Sequence, residues 1–491
     1  MQESLKYVTV RALKWTFLET VASRGLQFIV GVILARLLFP EQFGLIAMLA
    51  IFIAIAQCFL DSGFAAALIQ KRSVTLTDQC SIFYFNIAIG VLAAGLLCMA
   101  APWIAAFYDE PILTPLTRAL SLNLVINSFG LIHNALLTKQ IDFKTPAKVS
   151  LIASSLSGVI AIVTASGGFG VWSLVVQQLS AAGIRTALLW LFHSWRPALI
   201  FSFRSLQEMF GFGSRLLASQ VLSHIFDNLY YVVIGKLFTA ADLGLFARAQ
   251  TFGEQPSRTL SGMVGGVTFP VFSSIQDDPE RLKRVMKKAL NVLALINFPI
   301  MIGMAVLARP LVLMLLTEKW VGCIPYLQLI CMVGLLYPMH ALNLNVITAM
   351  GRSDLFLRLE IIKKVLIVIN ILVTWQWGIS AMIWGMIVFS GICYFLNSYY
   401  TGALIGYPIG EQIKDLSPYL TMAMLMGAGL AALGMAPFPS YGTAFLAQFV
   451  VGIVIYVFLC RISRLEGFME IWKTGWDQWR SLNKARQCDF P

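Results

Sequence analysis

Six arginines stand in stretches that are otherwise apolar: Arg24, Arg118, Arg185, Arg215, Arg248 and Arg258. Four acids accompany them, Glu19, Asp61, Asp227 and Glu254. A charge inside a membrane span costs at least about 2.5 kcal/mol on insertion scales, so each needs a reason. Arg118 and Arg185 lie within about two turns of a span end, close enough to snorkel to the surface, and Arg248 is also near an end. Arg24 and Arg215 lie deeper, roughly 14–16 Å along their helices at 1.5 Å per residue, and each follows a serine, Ser23 or Ser214. Arg258 comes four residues after Glu254, the spacing of a helical ion pair. It shares a polar helix face with Thr251, Gln255 and Gly262. A guanidinium keeps its charge and offers a two-pronged donor to phosphate oxygens. Arg24, Arg215 and Arg258 are therefore the candidates for holding an anionic group. His224 joins them, because it stands opposite Arg24 in the internal repeat described below. Glu254, Asp227 and Asp61 are the candidates for coupling to H+ or Na+. Asp227 lies three residues after His224 on the same helical face, a spacing that suits either proton exchange or a buried, satisfied pair. Asp61 opens a DSGF turn at the end of a span, where capping is the competing role.

Other chemistry is missing from the sequence. The eight cysteines are scattered and form no CxxC, and the four histidines show no metal-ligand spacing. No HExxH, P-loop, GxSxG or dinucleotide fingerprint occurs. The expectation is a non-enzyme without cofactor or nucleic-acid partner.

These charges must be positioned by membrane helices. The chain is 58% hydrophobic and 12% charged, where soluble domains carry about 25% charged residues. Mean hydropathy is +0.78. The apolar runs are too long for barrel strands and long enough for helices. Fourteen candidate spans are read, with twelve as the alternative. They include a second near 43–69, a seventh near 206–235, an eighth near 242–273 that Pro256 should kink, a ninth near 289–315, a tenth near 324–349 and an eleventh near 356–375. No signal-peptide pattern precedes the first span, which is expected to be retained.

One stretch occurs twice. Residues 33–47 read ILARLLFPEQFGLIA and residues 233–247 read VIGKLFTAADLGLFA. Arg36 matches Lys236, and Gly44-Leu45 matches Gly244-Leu245. Such similarity marks a duplicated membrane lobe. The expected fold is all-α: an N-lobe of six helices at 1–200, a C-lobe of six at 201–403, two further helices at 404–465 and a tail at 466–491. The two extra helices, whose interiors lack charge, are expected to be a lipid-facing addition. The lobes should be pseudo-symmetric around a central cavity, with Arg24, Arg215 and Arg258 lining one cleft. Of the 36 Lys and Arg residues, 26 fall on one side of the spans and 4 on the other. This bias places both termini in the cytoplasm. The densest basic loop is 275–288, and intramembrane charge is expected only in spans one to ten.

Four passages carry a family resemblance: ARLLFPEQFGLIA at 35–47, DSGFAAALIQKR at 61–72, FPVFSSIQDDPERLKR at 269–284 and TEKWVGCIPYLQLICMVGLL at 317–336. By these the chain resembles the polysaccharide transporter, Wzx-type branch of the multidrug/oligosaccharidyl-lipid/polysaccharide flippase superfamily, and is similar to its colanic acid and lipopolysaccharide exporters. The related lipid II flippases share a first-span Ser-Arg, matched here by Ser23-Arg24. The resemblance implies transport of an undecaprenyl-diphosphate-linked oligosaccharide across the bacterial inner membrane, for O-antigen, capsule or exopolysaccharide. The implied partners are that substrate, a coupling ion, membrane lipid, and polysaccharide polymerase and chain-length proteins. Two rivals are a drug/cation antiporter of the same fold, which would favour acids in its cavity, and a membrane polymerase or ligase, which would display a large outer loop.

Overall fold

The computed structural model of the chain describes residues 22–469, apart from residues 62 and 72 and the side chains of several residues in 65–66 and 209–216, Arg215 among them. Glu19, the start of the first expected span and most of the tail lie outside the described residues. Among the described residues there is no β-strand.

Helix α1 covers 22–37. It is followed by α2 (Pro40–Asp61), α3 (Phe64–Gln70), α4 (Leu76–Tyr108), α5 (Leu113–Lys139), α6 (Lys144–Ser166), α7 (Trp172–Phe192), α8 (Phe203–Asp227) and α9 (Leu229–Leu237). Then come α10 (Ala240–Ser274), α11 (Pro279–Val306), α12 (Ala308–Leu315), α13 (Cys323–Gly334), α14 (Tyr337–Ala349), α15 (Ser353–Thr374), α16 (Ile379–Ile405), α17 (Ile409–Leu433) and α18 (Tyr441–Ile462). Among the described residues, ten helices are long and apolar enough to cross a membrane, α13 and α14 counting as one. The other expected spans are helical as well. Three of them, α8, α10 and α15, fall short of that composition: α15 carries charges up to about its middle, and α8 and α10 mix charge with Gln, Ser, Thr and Gly.

Local chemistry sets the helix ends. Thr75 and Asp78 form a capping box at α4: the Thr75 amide donates to Asp78 Oδ2 at 3.0 Å and the Asp78 amide to Thr75 Oγ1 at 3.2 Å. Asp278 accepts from the Arg281 amide at 3.0 Å, and Pro279 opens α11. Four expected spans are each broken into two helices. The second breaks before Gly63, whose φ of 71° is left-handed. The seventh breaks at Asn228, the ninth at Leu307, and the tenth ahead of Pro338. The eighth runs through Pro256 and Pro270 as one helix.

Packing groups the chain into two compact units, residues 1–247 and 248–491. In the first unit the two copies of the repeat meet. The Phe39 amide donates to Gln42 Oε1 at 3.2 Å, and the equivalent Thr239 amide donates to Asp242 Oδ2 at 3.3 Å. A Cβ on Gly44 would fall inside the Ala240 carbonyl, and a Cβ on Gly244 inside the Pro40 carbonyl. Each glycine thus faces the residue that begins the other copy's helix, with no side chain between the backbones. Small residues permit this approach, as they do wherever membrane helices cross closely. Around this crossing, Val30 and Leu34 of α1, with Leu38 just after it, bury against α6 and α7, while Phe64, Leu68, Phe83 and Ile132 join α3, α4 and α5.

In the second unit the last two helices expose most of their apolar surface, as a peripheral pair would, and pack one face each on the helices before them. Leu416, Tyr419, Ala423 and Met426 of α17, with Tyr456 and Cys460 of α18, belong to one apolar cluster with Leu290, Leu293 and Phe298 of α11. Buried Gln412 accepts from the Tyr394 hydroxyl at 2.7 Å and the Ser398 hydroxyl at 3.1 Å, and donates to the Tyr407 carbonyl at 3.0 Å. Lys283 and Lys287 pair with Glu411 and Asp415 at 2.6 and 2.8 Å. A helix whose interior is uncharged still buries one face when polar groups anchor its end. The basic run at 281–288 is therefore the exposed first turns of α11 rather than a loop.

In α15, Arg358, Glu360, Lys363 and Lys364 all lie between the start and about the middle of the helix. Lys363 is ten residues past the helix start, about 15 Å along it. It pairs with Glu360 at 3.2 Å, and its side chain is 13% exposed.

Candidate functional site

One stripe of α2 carries Ile46, Ala50, Ala54, Gln57 and Asp61, spaced three or four residues apart. The stripe changes from apolar to polar over its last two turns. It forms one wall of a cavity of about 520 Å³ in the first compact unit, closed by Gln178 of α7 and by Gln220 and His224 of α8. The Gln57 amide hydrogen-bonds the Asp61 carboxylate, and Arg185 and His224 are the charges that act on that carboxylate. Arg185 lies seven residues after Gln178, on the same face of α7. Its side chain is exposed. Asp61 lines the cavity, and the following helix α3 begins at Gly63 without a side-chain cap, so Asp61 does not cap it.

The remaining candidates fall elsewhere. Arg24 is exposed on α1 beside Ser23, a buried residue whose hydroxyl is 3.4 Å from that of Ser150. Arg215 is on α8, and its side chain lies outside the described residues. Asp227 is the exposed last residue of α8 and does not line the cavity, so only His224 of that spacing pair does. In the second unit, Arg258 Nε donates to Glu254 Oε2 at 2.7 Å, as the spacing predicts. Gln250 donates to the other Glu254 oxygen at 2.8 Å, and the guanidinium lies 5.5 Å from the Tyr337 ring centre. Thr251, Gln255 and Gly262, the other members of the predicted polar face, are exposed. Arg248 sits over the rings of Phe252 and Trp320, at 5.7 and 5.6 Å.

Sequence reasoning missed Gln57, Gln178 and Gln220. The signal was present: Gln57 precedes Asp61, and Gln220 precedes His224, each by one helical turn. It also missed the approach of His133 and His193, whose Nδ1 atoms are 2.9 Å apart in a buried cluster with Trp190 and Trp195. A separation of sixty residues gives no spacing to read.

With this geometry in hand, comparison with known proteins adds the lineage. The sequence family described as polysaccharide biosynthesis protein matches residues 33–325. The chain belongs to that family. Among relatives of this polysaccharide biosynthesis family member, the lipopolysaccharide biosynthesis protein WzxC of Escherichia coli (strain K12) is 30% identical over 381 residues, covering 76% of both chains. The succinoglycan biosynthesis transport protein ExoT of Rhizobium meliloti (strain 1021) is 29% identical over 330 residues, covering 67% of both. In fold, the chain is similar to the lipid II flippase MurJ in an inward closed conformation. The TM-score is 0.74 at 15% identity, covering 91% of this chain and 98% of that one. An inward-facing multidrug resistance MATE family transporter of the MOP superfamily aligns with a TM-score of 0.60, also at 15% identity, over 77% and 94%. The protein is thus a multi-pass membrane protein with the helical fold of that transporter superfamily.

Proposed function

We propose that this chain is a flippase. It moves an undecaprenyl-diphosphate-linked oligosaccharide from the cytoplasmic to the periplasmic face of the bacterial inner membrane. The observation that carries this reading is a cavity with five polar side chains set among apolar helices of a polysaccharide biosynthesis family member. A polar headgroup needs such a cavity to cross, whereas the lipid tail stays in the bilayer. The names of WzxC and ExoT, a lipopolysaccharide and a succinoglycan protein, support a glycan substrate. Residues 1–200 and 201–403 act as the two lobes of alternating access. Arg24, Arg215 and Arg258 serve the diphosphate, because a permanently charged fork is the side chain that suits it. His224 goes with Asp61 instead, since both line one cavity.

Transport is driven by an H+ or Na+ gradient. Of the three candidate acids, Asp61 is the coupling residue. Glu254 is committed to Arg258, and Asp227 is outside the cavity. Polymerase and chain-length proteins are the partners that would take up the delivered repeat unit.

Complementation of a strain lacking its polymer exporter tests the substrate class, with membrane levels of the protein measured in parallel. Restored surface polymer is expected. Abundant protein without polymer, together with resistance to cationic drugs, would replace this reading with the antiporter. In proteoliposomes, transport indifferent to both proton and sodium gradients would remove the coupling.

A further inference from the structure

The cavity in the first unit is poorly matched to a diphosphate. Its charged or chargeable lining is Asp61 and His224, and among the described residues neither a lysine nor an arginine lines it. An anion asks for donors only, and a bare metal cation asks for acceptors only. Three of the five polar lining residues are glutamines, Gln57, Gln178 and Gln220, each of which both donates and accepts. The ligand atom that shares this double character is a hydroxyl.

The placement agrees. The glutamines come from three helices, α2, α7 and α8, so they surround the space rather than converge on a point. A cavity of about 520 Å³ is far larger than a dehydrated ion. It lies within the roughly 300–1,000 Å³ of small-molecule sites, which typically pair an apolar wall with a few oriented polar groups. Here the apolar wall is Ile46, Ala50, Ile53 and Ala54 of α2. The small alanines leave room for a flat C–H face. A pyranose ring presents that combination, with equatorial hydroxyls around its rim and apolar C–H faces.

We infer that Gln57, Gln178 and Gln220, with Asp61, form a subsite that reads the hydroxyls of a sugar in the headgroup, separately from the arginines that serve the diphosphate. This inference rests on the lipid-linked oligosaccharide reading. Gln178 and Gln220 are the specificity-determining positions. Asp61 accepts hydroxyl hydrogens, so its coupling to the ion gradient and its grip on the sugar act through one carboxylate. Protonating it would weaken the grip.

The test compares two probes on the full chain in lipid nanodiscs. One is undecaprenyl diphosphate without sugar; the other is the same lipid carrying the repeat unit extracted from the protein's own host. The wild type should bind the sugar-linked probe more tightly than the bare lipid. Gln178→Leu and Gln220→Leu should each lose about fivefold of that difference, the effect of roughly one hydrogen bond. Their binding of the bare lipid should be unchanged, which also reports that they are folded. Gln178→Leu and Gln220→Leu variants with the full sugar-dependent difference overturn the subsite and leave the flippase reading standing. Loss of sodium or proton dependence with the sugar difference intact overturns it in favour of a cation site. A wild type that binds neither probe overturns the lipid-linked reading and the subsite with it.

Discussion

Arg24 separates a functional arginine from a structural one most cleanly. It is exposed on α1 while its neighbour Ser23 is buried. Ser23 and Val30 are the buried residues of this part of α1. Arg24→Ala should abolish polymer export at normal membrane abundance. Arg24→Lys should retain part of it, because the charge remains and the fork is lost. Normal export by Arg24→Ala would exclude this residue from the diphosphate path. The His133–His193 contact makes a different prediction. Burial first, then the nearby Arg196 guanidinium, holds His193 below its usual value of 6.5, with Asp142 pulling weakly the other way. A histidine depressed in the fold contributes stability above its unfolded value and loses it as pH falls below that value. The segment after α7, docked by Arg196 donating to the His193 and Trp190 carbonyls at 2.7 and 2.8 Å, should loosen below about pH 6.5. Hydrogen exchange of residues 193–202 at pH 8 and pH 5.5 checks this. Equal protection at both values would show that closing the segment does not depress His193.

At the scale of the element, the glycine crossing is the most exacting contact. Gly44 and Gly244 approach backbone to backbone, so an added methyl has no side chain to displace and must move a helix. Gly44→Ala or Gly244→Ala should destabilise the protein by about 1–3 kcal/mol, the usual range for overpacking. Gly95→Ala is the control, since nothing lies within 4 Å of its added Cβ. Thermal unfolding in detergent reads the difference. Equal midpoints for Gly44→Ala and Gly95→Ala would mean that the two copies of the repeat do not meet as described. The same crossing explains why the Gly-Leu step is present in both copies. Both helices need a glycine where each passes the other's first residue.

For the whole molecule, the prediction is topology. Asp277 lies in the turn before α11, and Glu318 in the turn after α12. Both are exposed. The basic residues on the first turns of α11 place residue 277 in the cytoplasm by the positive-inside rule. Asp277→Cys should therefore be labelled from the cytoplasmic side and Glu318→Cys from the periplasmic side. Labelling of both from the periplasm would reject the orientation. The 28 residues of α11 support the assignment. At 1.5 Å each they reach about 42 Å, more than the roughly 30 Å hydrocarbon core, so the basic turns stand clear of it.

The helical class, the repeat and the polysaccharide transporter family were legible in the sequence. Each depends on local composition or on residues kept at a fixed offset, such as Gly44 and Gly244. The Glu254–Arg258 pair was legible for the same reason, because one helical turn brings the two together without help from the fold. Tertiary structure alone decided which polar groups share a cavity. Gln57 and Asp61 share one turn of α2, and Gln220 and His224 one turn of α8, but nothing in the sequence brings α2 to α7 and α8. It also decided that α17 packs on α11. Helix faces of similar hydropathy become distinguishable only when a partner covers one of them, since lipid and protein interior are equally apolar.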